Sequence, residues 1–121
     1  MQPTLRSGDL LLVDKRAYRD VDPLRGDIVV ARHGSEQWVK RIVGLPGEEI
    51  ELKDGALLVN GHRVVEAHDV TPGPLEITKG RLFSGKFALL GDYRSVWPRK
   101  GVHGIVSKED IVGKVILRVG L

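Results

Sequence analysis

Glu49-Ile50-Glu51-Leu52-Lys53-Asp54-Gly55-Ala56-Leu57-Leu58-Val59-Asn60-Gly61-His62-Arg63-Val64-Val65 is the stretch on which the fold turns. A two-residue type I′ hairpin needs positive φ at both central positions, which Asp-Gly and Asn-Gly adopt at low steric cost. Asp54-Gly55 separates Glu49–Lys53 from Ala56–Val59, and Asn60-Gly61 leads on into His62–Val65. The spacing predicts three short antiparallel strands in a meander.

The same punctuation continues on both sides. Upstream, Leu45-Pro46-Gly47 ends an apolar segment that begins at Gln37. His33-Gly34-Ser35 separates that segment from Ile28–Ala31, which reads as a second hairpin. Leu10–Val13, between Asp9 and Asp14, reads as a buried strand, and Met1–Asp9 as a turn-rich lead-in. A basic, polar connector runs from Lys15 to Pro23. Downstream, Ala67–Gly80 loosens around Pro72-Gly73-Pro74 and reads as an exposed loop. Phe87–Leu90 is apolar and stops at Gly91-Asp92, and Ser107-Lys108-Glu109-Asp110 has the pattern of one capped helical turn. Gly113–Val119 closes the chain as a strand, Val115, Leu117 and Val119 alternating with Lys114 and Arg118. The expectation is a mainly β chain, a single domain over 1–121.

The chain's 121 residues support one hydrophobic core. Nineteen Lys and Arg face sixteen Asp and Glu without any block of like charge, and aromatic residues make up only 5%. That pattern argues against nucleic acid, which is bound by clustered bases beside stacking aromatics. The mild basic excess suits an anionic membrane surface or simply a solvated one. The absence of cysteine excludes disulfides, thiolate metal sites and a cysteine nucleophile. His33, His62, His68 and His103 lack metal-ligand spacing and read as scattered surface residues, so no metal or cofactor is expected. No apolar stretch is long enough to span a bilayer, and the chain as written reads as soluble.

Lys40 is the most informative titratable residue. Alternation along a strand puts Trp38, Lys40 and Ile42 on one face and Val39, Arg41 and Val43 on the other. Between Trp and Ile the amine is open to two readings. Desolvation would lower its pKa and suit it to act as a general base. Alternatively its stem covers apolar surface while the amine stays in water.

Met1-Gln2-Pro3-Thr4-Leu5, Gly8-Asp9, Leu12-Val13 and Lys15 resemble the segment that follows the nucleophile in type I signal peptidases, Ser–Lys dyad membrane proteases. Gly26-Asp27-Ile28-Val29-Val30 is similar to that family's next block. Lys40-Arg41-Ile42-Val43-Gly44-Leu45-Pro46-Gly47 is a near-complete match to its lysine-bearing strand. Gly55, Leu58-Val59-Asn60-Gly61, Gly91-Asp92 and Ile111-Val112-Gly113-Lys114 follow in order. The resemblance implies a signal-peptidase-like fold of twisted antiparallel sheets with short helical turns. It implies Lys40 as general base, taking the proton of a serine that attacks a scissile carbonyl. It implies Met1, Leu5, Trp38 and Val39 as walls of small apolar substrate pockets, roles compatible with ordinary core packing. Arg41, Gly91 and Asp92 would support the lysine, or the last two simply end a strand. The implied partners are extended signal peptides of exported precursors, bound along strand edges. The implied location is the outer face of the bacterial cytoplasmic membrane, reached through an N-terminal anchor not present here.

Two departures stand against the pattern. The family's serine directly precedes the methionine matching Met1, so the nucleophile is expected just outside the sequence, together with its oxyanion donors. In the block after Gly91-Asp92, Trp97 replaces a serine that would hydrogen-bond the lysine, and Arg99 and Gly101 replace Asp and Arg. An active protease completed by an upstream serine, or a catalytically dead module that binds extended peptides or assists surface-protein assembly, are the two readings.

Overall fold

The computed structural model describes residues 1, 3–66, 70–71, 75–92, 94 and 103–120. Among the described residues, ten strands lie in two antiparallel sheets: β1 (Leu10–Asp14), β2 (Ile28–His33), β3 (Glu36–Gly44), β4 (Glu49–Lys53), β5 (Ala56–Val59), β6 (His62–Arg63), β7 (Ile77–Arg81), β8 (Lys86–Leu90), β9 (His103–Ser107) and β10 (Ile111–Val119). The larger sheet has the order β1-β10-β2-β3-β8-β9 and the smaller β6-β5-β4-β7. One 3₁₀ turn, Lys108–Asp110, joins β9 to β10, and the Asp110 carboxylate accepts the Ser107 N–H as the capping pattern requires.

The meander is built as its turns dictate. Asp54 and Gly55 have φ of 51° and 78°, Asn60 and Gly61 of 52° and 80°. Ile50 faces Val59 and Leu52 faces Leu57, so the apolar residues of β4 and β5 fall on one side. They pack with Val43, Leu75, Leu82, Ala88 and Leu90 into a core between the two sheets. A second core of Val29, Ala31, Ile42, Phe87, Leu89 and Val106 lies on the other face of the large sheet, covered by Tyr18, Leu45 and Ile111. β8 feeds both cores, which explains why Phe87–Leu90 is continuously apolar rather than alternating.

Gly44 is closely packed by side chains from both sheets and the loop after β7. A Cβ there would lie 2.8 Å from the Ile50 and Leu82 side chains and 2.9 Å from that of Ala88. Gly44→Ala is expected to destabilise the protein by roughly 1–3 kcal/mol through overpacking, read from the midpoint of urea unfolding.

Three expectations are corrected. Leu10–Val13 is a strand, but β1 is a sheet edge paired only with β10, and Leu10 and Leu12 are 61% and 55% exposed. Leu117 and Val119, opposite them, are exposed as well, so alternation in β10 does not mark a buried face. The expected loop at 67–80 ends early. Ile77–Arg81 forms β7 against β4, and Leu75 is buried in the core between the sheets. Its single apolar residue hid it: an edge strand needs only ladder partners, not an apolar face. β9 also carried no signal, as its glycine and histidine interrupt the apolar pattern. The altered block Tyr93–Gly101, apart from Arg94, lies outside the described residues.

Candidate active site

Register fixes the face on which Lys40 stands. Trp38 pairs with Ala31, Lys40 with Val29, and Ile42 with Leu89. Ala31, Val29, Ile42 and Leu89 all belong to the second core, so Lys40 emerges at the margin of that core. Its amine is half-buried, and burial pushes its pKa below the ordinary lysine value. Among the described residues no carboxylate pairs with it, so nothing there offsets the penalty on the ammonium.

The opposite face of β3 carries a buried ion pair. Arg41 Nε and Nη2 donate to the Asp92 carboxylate oxygens at 2.9 and 2.8 Å, and the two residues are 6% and 0% exposed. Arg41 Nη1 also donates to the Gly26 carbonyl at 2.7 Å. Thr4 donates its hydroxyl to Asp92 Oδ2, and the Thr71 N–H donates to the Asp92 carbonyl. Asp92 thus ties together the N-terminal segment, β3 and the chain beyond β8. Arg94 extends the arrangement, donating to the Gly91 carbonyl and, bidentately, to Glu66. Gly91 is buried at the start of this loop.

The clamp brings the beginning of the chain to the lysine. Leu5, buried, donates its N–H to the Met1 carbonyl, closing a turn over residues 1–5. The Met1 α-amino group is held below its ordinary value, first by burial and then by the charge of Lys40, with Asp92 opposing. Met1, Lys40 and Asp92 therefore gather from three separate segments.

Trp38 is buried on the Lys40 face and stacks on His33, ring centroids 3.9 Å apart and planes at 13°. His33, half-buried, is therefore tied to the Lys40 face rather than being simply a scattered surface residue. Val39 pairs with Val30 on the Arg41 face, so the structure does not bring its side chain to Lys40. The cavity of about 370 Å³ lined by Arg25, Arg41, Leu57, Val64 and Glu66 likewise excludes Lys40. Among the described residues no group of His, Asp or Glu could hold a metal ion, and no helix is long and apolar enough to cross a membrane.

Residues 1–120 match the family model for signal peptidase, peptidase S26. This chain belongs to the signal peptidase family. A signal peptidase I of Bacillus caldolyticus is 38% identical over 137 residues, covering 98% of this chain and 73% of that protein. A probable signal peptidase I-2 of Synechocystis sp. is 32% identical over 126 residues, covering 98% of this chain. This chain spans 58% of that relative's length, and 63% of a Leptolyngbya laminosa signal peptidase I. The crystal structure of a signal peptidase I from Enterococcus faecalis V583 superposes with a TM-score of 0.62 at 24% identity, over 78% of this chain and 97% of that one. The fold is that of a signal peptidase, mostly antiparallel sheet with almost no helix.

Sequence reasoning missed Thr4, His33 and Gly104 in this signal peptidase fold. Thr4 had a signal only as part of the Met1–Leu5 resemblance, which did not single out its hydroxyl. His33 and Gly104 had none. Their positions matter only once β2, β3 and β9 are arranged.

Proposed function

We propose that this chain is the catalytic core of a serine endopeptidase that cleaves signal peptides from exported precursors after small residues. Lys40 acts as general base for a serine carried immediately before Met1. What supports this reading is Lys40 at the margin of the second core, half-buried and without a carboxylate partner among the described residues, with the Met1 α-amino group within reach of its charge. A residue preceding Met1 would enter beside a half-buried amine that burial biases toward its neutral form. The neutral amine accepts the serine proton as the hydroxyl oxygen attacks, and the ammonium can return it to the leaving amine. Asp92 and Arg41 take no proton in this scheme. Through Thr4 they hold the segment that delivers the nucleophile.

An extended substrate also has a place to lie. Among the described residues, the stretch 37–40 pairs with β2, while β8 meets β3 only from Arg41 onward. A peptide added along the other edge of that stretch would present alternate side chains to the Lys40 face, with Trp38 and Leu5 as apolar walls. In this reading the protein acts on exported precursors at the outer face of the cytoplasmic membrane, held there by an N-terminal anchor.

The test is to add a serine, with an upstream apolar anchor, ahead of Met1 and assay a precursor peptide containing Ala-x-Ala, with Lys40→Ala as control. Cleavage after the second Ala, lost in the control, is the expected result. A folded protein that binds the peptide and leaves it intact would instead favour the non-cleaving module suggested by Trp97, Arg99 and Gly101.

A further inference from the structure

We propose that His33 and Gly104 are positioning residues that fix the Trp38 indole and so set the size of the substrate side chain accepted beside Lys40. The inference rests on the peptide-binding reading given above and deepens it. Two independent contacts hold the indole. Its face lies against His33 at 3.9 Å and nearly parallel, a stacked aromatic pair. Its far edge lies on the backbone of β9: a Cβ at Gly104 would come within 2.5 Å of Cζ3 and 3.0 Å of Cη2. His33 Cδ2 would be 3.6 Å from the same point, so ring and glycine form one seat.

The seat explains features of three strands at once. His33 lies on the same face as Val29 and Ala31 by alternation along β2, two positions beyond the residue that pairs with Trp38. Gly104 pairs with Leu89, which pairs with Ile42, so β9 presents a residue without a side chain to the same face. Trp38 precedes Lys40 by two residues on that face. A side chain of an extended peptide directed toward it would meet an indole that can retreat neither toward β9 nor across His33. The ligand class is an extended peptide with small residues at the positions facing this wall.

The 121-residue chain itself serves for the test, because peptide binding needs no serine. In a Trp97→Phe background Trp38 is the sole tryptophan. Two short peptides, ending in Ala-Gln-Ala and in Phe-Gln-Ala, are titrated against the protein and its variants by NMR, with indole emission recorded alongside. The unaltered chain is expected to prefer the Ala peptide. His33→Ala should erode that preference by about tenfold, the low end of what one ill-fitting group costs in an apolar pocket, and should change the Trp38 emission. His33→Phe, which keeps a ring in the stack, should restore the preference. Gly104→Ala should displace the indole and alter both readouts. Should that variant fail to fold, the two His33 variants decide alone. A His33→Ala protein with unchanged preference and emission overturns the proposal, as does a parent chain that does not discriminate between the peptides. Failed cleavage with intact preference would sink the catalytic reading and leave this one standing.

Discussion

Asp92→Ala is expected to cost the fold about 3–5 kcal/mol, because it leaves the Arg41 guanidinium buried without its counter-charge. The carboxylate it removes is fully buried and receives two guanidinium N–H groups and the Thr4 hydroxyl. Water cannot readily replace it where neither partner is solvated. Urea unfolding followed by circular dichroism measures the loss. A double variant, Arg41→Met with Asp92→Leu, should recover much of it, since an apolar pair of similar volume costs no charge desolvation. Thr4→Val should cost only about 1 kcal/mol, the value of one hydrogen bond, because the carboxylate keeps its guanidinium. An Asp92→Ala protein within 1 kcal/mol of the parent would mean that the pair is solvated and clamps nothing.

Local chemistry made part of this arrangement readable in the sequence. Asp54-Gly55 and Asn60-Gly61 demanded their turns, and β4, β5 and β6 follow from them. His33-Gly34-Ser35 likewise lies at the β2–β3 turn, with Gly34 at φ 62°. Lys40 was legible because strand alternation places it between Trp38 and Ile42 whatever the partners are. What stayed hidden was non-local. Nothing near Leu10 or Leu12 says that β1 is an edge with open faces, and nothing near Ile77 says that β4 has a free side to pair with. Asp92 read either as support for the lysine or as the end of a strand. Only the fold brings Arg41, Thr4 and Thr71 around it. The His33–Trp38–Gly104 seat spans three strands, and two of its members are residue types that ordinarily mark turns or surface.

In the chain carrying a serine ahead of Met1, Lys40→Ala is expected to lower kcat by about 10²–10⁴-fold, the usual contribution of a positioned general base. The rate of the parent should rise with pH along a limb of unit slope. Its midpoint should fall below the ordinary lysine value of about 10.4, since burial disfavours the ammonium in the folded state. Below that midpoint each pH unit removes about nine-tenths of the remaining neutral amine, hence the slope. The same shift has a consequence for stability. Between the lowered folded value and the ordinary one, the unfolded chain binds the proton and the folded chain does not. Stability therefore rises with pH across that window and loses the contribution as pH falls through the folded value. Lys40→Met, which carries no charge to desolvate, should be inactive yet no less stable than the parent at neutral pH. Asp92→Ala couples lost stability to lost order. Lys40→Met separates activity from stability, as expected of a residue kept for its chemistry at a cost to the fold. A Lys40→Met protein destabilised as strongly as Asp92→Ala would instead assign the lysine a structural role.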